Sequence, residues 1–185
     1  MTDTRTTREL LDHCRSGDRE AMRTLYLESQ RRVFSIAFNF FGGDSAKAED
    51  VTQQVFVKLF SKMDFRGESQ FTTWLYRLTV NQCIDEARRA KRWLPFAEWF
   101  DAAEPVTRMS LNEKLQSREM STEVRAVIGG LKPKYRLPIL LRYVEELSYQ
   151  EIASVLGLSI GTVSSRLNRG QKMLAERLGH LRSEL

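Results

Sequence analysis

The sequence predicts an all-α protein with two small helical domains joined by a flexible linker. Apolar residues recur at helical spacing in both halves of the chain. Ten Gly and four Pro among 185 residues are few for an all-β protein, which needs a turn every ~8–12 residues. A change of composition separates an N-terminal domain, residues 1–94, from a C-terminal domain, residues 119–185, with a linker over residues 95–118.

Four helices are predicted in the N-terminal domain. Glycines mark their ends, and short polar side chains such as Asp18 can cap the helices that follow. The first expected helix ends at Gly17, and the second runs from Asp18 to Phe41. The third runs from Asp44 or Ser45 to about Met63, and the fourth runs from Thr72 to Arg92. The second span keeps an apolar stripe, which predicts a buried face.

The linker and the first C-terminal helices carry their own signals. Pro95 and Pro105 bracket an irregular, aromatic and acidic stretch. A helix is expected from near Ser121 to Gly129, and a second begins at Pro133, a favourable first helical position. Pro138 lies one turn inside this second helix, where only a mild distortion is expected.

A helix-turn-helix is predicted from Ser148 to about Leu178. The sequence from Tyr149 reads YQEIASVLGLSIGTVSSRLNRG. Ser148 and Glu151 have the spacing of a capping box, Ala153 is small enough for close helix packing, and Gly157 permits the positive φ of a turn. Ser159 can then cap the second helix.

The second helix of this motif has one apolar and one cationic face. Val163, Leu167 and Gly170 share the apolar face, while the opposite face begins with small residues that can enter the major groove. An amphipathic helix with a solvated charged face is the alternative interpretation. The predicted DNA-contacting residues are Gly161, Thr162, Ser164, Ser165, Arg166, Asn168, Arg169 and Lys172.

The net charge indicates the kind of partner, and the cysteines bear on whether a metal site is expected. The net charge of +5 and the pI of about 9.4 favour a polyanion. Cys14 and Cys83 are far apart, without zinc-site spacing. Asp12-His13-Cys14 is interpreted as an ordinary amphipathic turn, so no catalytic residue, metal or cofactor is expected. With no signal peptide or membrane span apparent, we expect a cytoplasmic protein.

Two long blocks carry a resemblance to a known family. AEDVTQQVFVKLF (residues 48–60) and DFRGESQFTTWLYRLTVNQCIDEARRAKR (residues 64–92) resemble region 2 of the sigma-70 family, in its extracytoplasmic-function (ECF, group IV) subgroup. KYRLPILLRYVEELSYQEIASVLGLSIGTVSSRLNRGQKML, residues 134–174, is similar to region 4. The resemblance covers nearly the whole chain apart from the linker and a few terminal residues, and the two regions follow each other in the order of the family.

The resemblance implies two further surfaces. One binds the coiled coil of the polymerase β′ clamp through Asp50, Gln53, Gln54 and Val57, although a solvated polar face is the simpler interpretation. The other reads and opens the −10 promoter element, where aromatic side chains can stack on an extruded base; aromatic residues at such positions also occur in cores. Its expected residues are Phe65, Phe71, Trp74, Arg77, Asn81 and Arg88.

The family implies an alternative sigma factor that directs RNA polymerase to promoters and is not an enzyme. Its expected partners are core RNA polymerase (β′ clamp and β flap), promoter DNA and an anti-sigma factor, with no membrane insertion. Promoter elements two and a half turns apart lie ~85 Å from each other, a distance that the linker and both domains can span. The alternative is a stand-alone helix-turn-helix regulator that binds a palindromic operator without polymerase.

Overall fold

A computed structural model describes residues 4–62, 70–90 and 122–183. Over these ranges the chain forms eight helices and no strand, which confirms the predicted fold class. The N-terminal helices are α1 (Thr4–Arg15), α2 (Arg19–Phe40), α3 (Ser45–Lys62) and α4 (Phe71–Ala90). The C-terminal helices are α5 (Thr122–Gly129), α6 (Pro133–Tyr143), α7 (Tyr149–Leu156) and α8 (Ile160–Ser183). Residues 95–118, predicted as the linker, lie outside the described ranges.

The helix ends follow the local signals in the sequence. The Asp18 carboxylate accepts from the backbone N–H groups of Glu20 and Ala21, as an N-cap does. Gly42 and Gly43 have φ values of +67° and +98° after the end of α2, a conformation that glycine adopts without strain. The predicted end of α8 near Leu178 was wrong, because the helix continues to Ser183.

The two sets of helices share one hydrophobic core. In the N-terminal set, α2 packs on α1, α3 and α4, and the apolar stripe predicted for α2 is buried. In the C-terminal set, α8 packs on α5, α6 and α7. Helix α4 also contacts α7, and α2 contacts α5 and α6. The two sets therefore form one packed unit, and each leaves one face of its outer helices exposed.

Candidate nucleic-acid interface and partner surface

The helix-turn-helix is built as its sequence signals require. The Ser148 hydroxyl accepts from the Glu151 N–H at 3.3 Å, and the Glu151 carboxylate accepts from the Ser148 N–H at 2.8 Å. The Ser148 hydroxyl also donates to the Glu151 carboxylate at 2.7 Å. This bond first, and then the one from the Ser148 N–H, hold the pKa of Glu151 below its usual value. Gly157 adopts the left-handed conformation at φ +64°, and the Ser159 hydroxyl accepts from the Thr162 N–H at 3.2 Å. The turn between α7 and α8 is thus fixed by its own residues.

Helix α8 buries its apolar face and exposes the opposite one. Val163 and Leu167 are 0% and 1% exposed, as the helical spacing predicts. Gly170 lies against α6, where a Cβ atom would come within 2.6 Å of Cδ1 of Ile139. Among the predicted DNA-contacting residues, Thr162 and Arg166 are half-buried, and the exposed ones are Gly161, Ser164, Ser165, Asn168, Arg169 and Lys172. The exposed face carries both small residues and cations.

The residues predicted to contact the −10 element differ in their exposure to solvent. Arg77 and Asn81 are exposed one turn apart, while Trp74 and Arg88 are half-buried. Phe71 is only 8% exposed and belongs to the core, with its ring centroid 6.0 Å from that of Trp74. In this conformation Phe71 supports the indole and does not offer its own face to a base. Phe65 lies outside the described residues.

Helices α2 and α3 enclose an open, partly apolar groove of about 1100 Å³. Val57, one of the predicted polymerase contacts, is 62% exposed on this groove, and Asp50 and Gln53 line it as well. Tyr26 and Leu27 of α2 complete the opposite wall, with exposed fractions of 37% and 56%. Sequence reasoning missed these two residues because it considered α3 alone.

A buried amide connects the groove helix to α4. Gln82 of α4, 1% exposed, accepts from the Lys58 ammonium and donates to the Gln54 side-chain oxygen, both on α3. The Lys58 ammonium also lies 3.9 Å from the Asp85 carboxylate. A residue predicted to contact polymerase is therefore hydrogen-bonded to the helix predicted to contact the −10 element.

The two cysteines contribute to the core. Cys14 and Cys83 are 1% and 0% exposed, and burial raises the pKa of both thiols. Cys83 therefore lies on the buried face of α4. No helix within the described ranges combines the length and apolarity needed to cross a bilayer.

Both halves of the chain match families of known proteins. Residues 25–93 match the family Sigma-70 region 2, and residues 121–174 match Sigma-70, region 4. The chain is 32% identical to the ECF RNA polymerase sigma-E factor of Escherichia coli K12 over 94% of this chain and 95% of that protein. It is 29% identical to the ECF RNA polymerase sigma factor SigW of Bacillus subtilis, over 90% and 94% of the two chains.

Solved structures agree with this fold. CnrH, in complex with the cytosolic domain of CnrY, has a TM-score of 0.66 and 26% identity, covering 94% of this chain and 97% of CnrH. The sigma factor RpoE in complex with the anti-sigma factor NepR, from Bartonella quintana, has a TM-score of 0.64 over 85% of this chain and 96% of RpoE. At 23% identity, the second match shows the fold alone.

The eight helices and the two matched regions define a two-region promoter-recognition subunit. The chain belongs to the extracytoplasmic-function subgroup of the sigma-70 family. Its function is to direct RNA polymerase to promoters as an alternative sigma factor, without catalysing a reaction itself. Helices α2–α4 contribute region 2, and α5–α8 contribute region 4.

Proposed function

We propose that the exposed face of α8 reads the −35 element in the major groove. The observation that carries this assignment is the pairing of a fixed helix-turn-helix with an outward face that bears Asn168, Arg169 and Lys172. Small residues at the start of α8 allow it to approach the bases closely, and asparagine and arginine can form bidentate hydrogen bonds to base edges. Ser148 to Ser159 set the angle at which the helix enters the groove.

For the −10 element, we assign direct contact to Asn81 and Arg77 and a stacking surface to Trp74. Both polar side chains are exposed on α4, and the indole is braced by the buried ring of Phe71. Stacking on an aromatic ring is worth ~1–3 kcal/mol per base, comparable with the cost of extruding a base. Phe65 and Arg88 stay in the proposed surface, Arg88 as a phosphate contact.

The groove between α2 and α3 is assigned to core polymerase. It presents exposed apolar side chains beside Asp50 and Gln53, the mixture found where one helical surface receives another. We assign it to the β′ clamp coiled coil, with Gln54 and Val57 in the contact, and we assign region 4 to the β flap. The protein would then act in the cytoplasm, where the polymerase transcribes.

An anti-sigma factor is proposed as the regulatory partner. CnrH and RpoE, whose folds this chain shares, were solved in complexes with CnrY and the anti-sigma factor NepR. Co-purification of the chain with the product of a gene adjacent to its own, and loss of transcription when that product is added, would support this assignment.

Transcription with purified components tests the central assignment. Core polymerase plus this chain should initiate at a subset of promoters in a genomic library, whereas core polymerase alone should not. If no promoter in the library gives a chain-dependent transcript, the proposal fails. Start-site mapping on the same samples gives the −35 and −10 elements together.

The α8 surface is tested by Arg169→Ala. This change should weaken binding to the −35 element by about 5- to 150-fold, since a good base contact is worth ~1–3 kcal/mol, and it should leave core-polymerase binding unchanged. Arg23→Ala, which removes the same charge from an exposed position of α2, is the matched control. Loss of polymerase binding in Arg169→Ala, or equal loss of DNA binding in both variants, contradicts the assigned face.

The sequence left a stand-alone regulator open as an alternative, and gel shifts distinguish its mode of DNA binding from that of a sigma factor. A sigma factor should protect its promoter strongly only with core enzyme, at two elements. A dimeric regulator should bind a palindrome tightly by itself. Val57→Asp should abolish only the polymerase-dependent complex, while Thr24→Asp, on an exposed part of α2 outside the groove, should not.

A further inference from the structure

Tyr143 is an exposed tyrosine that lies beside the DNA-reading helix. It is the last residue of α6 and is 56% exposed, and it does not line the groove between α2 and α3. A single exposed aromatic side chain has no special meaning by itself. What distinguishes Tyr143 is that its hydroxyl oxygen accepts a hydrogen bond from the Gln171 side-chain amide of α8. The phenol ring is therefore held at a fixed place next to α8.

The close packing of α6 on α8 explains this hydrogen bond. Gly170 of α8 lies against the Ile139 side chain of α6, where a Cβ atom would collide with it. Tyr143 follows Ile139 by one helical turn, and Gln171 follows Gly170 directly. Because no side chain at residue 170 separates the two helices, the Gln171 amide reaches the phenol across the junction.

Gln171 lies on the same side of α8 as residues assigned to the −35 element. Ser164, Asn168 and Gln171 are spaced i, i+4 and i+7, which places them along one side of a helix, and all three are exposed. At 1.5 Å per residue, Gln171 lies ~10 Å beyond Ser164 along the helix axis. The major groove is ~8.5 Å deep. With the start of α8 at the base edges, Gln171 and Tyr143 therefore lie at the rim of the groove, where the backbone phosphates are.

The hydroxyl of Tyr143 has the chemistry that a phosphate requires. A phenol both accepts and donates, so accepting from Gln171 leaves its own proton available. In the part of the chain that the structure describes, Gln171 is the hydrogen-bond partner of this hydroxyl. A hydrogen bond to an ionised acceptor is about twice as strong as one between neutral groups. Lys172, which is exposed beside Gln171, adds positive charge on the same helix.

We propose that the Tyr143 hydroxyl donates to a backbone phosphate at the rim of the −35 groove, and that Gln171 is the positioning residue that holds it there. The inference rests on the proposed assignment of α8 to the −35 element. It extends the DNA-binding surface onto α6, where neither base contacts nor phosphate contacts were expected. Such a contact fixes the register of α8 on the duplex but does not read its sequence.

Tyr143→Phe removes only the hydroxyl and tests the contact directly. The full chain is titrated with a fluorescent duplex that carries the −35 element found by start-site mapping. The affinity should fall by about 10-fold, as expected for a hydrogen bond to a charged group. A base change within the element should weaken the variant and the unaltered chain by the same factor, because a phosphate contact carries no sequence information. Circular dichroism verifies that the variant is folded.

The salt dependence separates this contact from that of a cation. Tyr143 is neutral and releases no counterion, so Tyr143→Phe should leave the slope of log K against log salt concentration unchanged. Lys172→Ala should reduce the steepness of that slope by ~0.9, as for one phosphate neutralised by a lysine. A shallower slope in Tyr143→Phe would contradict a contact made by a neutral donor.

Methylphosphonate substitution identifies the phosphate. Duplexes with a single uncharged methylphosphonate, placed at successive positions on each strand, are compared between the unaltered chain and Tyr143→Phe. At one position the substitution should weaken the unaltered chain and have a smaller effect on the variant, because the two partners of one interaction show coupled losses. At the other positions the two losses should be additive. Additive losses at every position would show that the hydroxyl does not meet a phosphate.

Gln171→Leu tests the positioning role. Leucine has a similar size but cannot donate to the phenol, so −35 affinity should fall while Tyr143 is present. In the Tyr143→Phe background the same change should have no further effect, since the hydroxyl that it positions is already absent. An equal loss in both backgrounds would mean that Gln171 acts independently of Tyr143, and would overturn its positioning role.

Arg169→Ala, measured on the same duplex, distinguishes this inference from the proposed function. A loss of affinity in Arg169→Ala without a loss in Tyr143→Phe overturns the tyrosine contact and leaves the assignment of α8 intact. No loss in either variant overturns both. Losses in both variants, with a change of base preference in Arg169→Ala alone, support a base-reading α8 and a phosphate contact from α6.

Discussion

Gly170 sets how closely the DNA-reading helix α8 can approach α6. A Cβ atom there would lie 2.6 Å from Cδ1 and 3.3 Å from Cγ1 of Ile139. Carbon atoms in contact prefer ~3.5–4.0 Å, so Gly170→Ala requires a movement of about 1 Å. The helix that moves is the one that carries Asn168 and Arg169, and both stability and −35 binding should respond.

The size of the effect follows from two opposing terms. Overpacking a core costs ~1–3 kcal/mol, and alanine is favoured over glycine inside a helix by ~1 kcal/mol. Gly170→Ala should therefore lower the free energy of unfolding by up to about 2 kcal/mol. Ile139→Val alone should cost ~0.5–1.5 kcal/mol. The double variant lacks the clashing methyl group and should be more stable than the two single effects predict, by ~1–2 kcal/mol.

Chemical unfolding of the four chains, monitored by circular dichroism, measures this coupling. Binding of a −35 duplex should fall in Gly170→Ala and recover in the double variant. Gly179→Ala, where an added Cβ meets nothing within 4 Å, is the control and should not destabilise the chain. If the single effects are additive within ~0.5 kcal/mol, the two positions do not interact. Gly170 is then not the residue that allows α8 to approach α6 closely.

Three further predictions concern the helix cap at Ser148, the buried carboxyl group of Glu145 and the −10 surface. Ser148→Ala should cost about 1 kcal/mol in unfolding experiments; because the pKa of Glu151 is lowered in the folded chain, the capping contribution should also fade as the pH falls through that pKa. Burial raises the pKa of Glu145, so the folded chain binds this proton more tightly and its free energy of unfolding should fall as the pH rises through the raised pKa; chemical unfolding should show this dependence in the unaltered chain and not in Glu145→Gln. Asn81→Ala should reduce permanganate-detected opening of the −10 element by roughly 10-fold or more, while core binding is retained.

Much of the helix-turn-helix was predictable because its signals are local. The cap at Ser148, the left-handed Gly157 and the buried Val163 each depend on residues within a few positions of one another. The end of α8 was not predictable in this way. No glycine in a left-handed conformation or proline stops the helix near Leu178, so it extends to Ser183.

The groove for the polymerase was only half predictable. The exposed positions of α3 follow from its periodicity, and Val57 was found by resemblance alone because an isolated exposed valine has no special meaning. Tyr26 and Leu27 acquire a function only when α2 and α3 are placed side by side. Tertiary packing created this surface, and a single-helix pattern does not contain it.

The contacts between the N-terminal and the C-terminal helices show a different reason for incomplete prediction. Arginine in an amphipathic helix is expected at the surface, yet Arg125 and Arg136 are buried because the C-terminal end of α2 offers them acceptors and aromatic rings. Arg77 was assigned to DNA, and here it donates to the Ser154 carbonyl. Each side chain suits both a polar partner inside the protein and a phosphate or base outside it. Composition cannot choose between these partners, because the choice depends on which acceptors the fold brings within reach of each guanidinium.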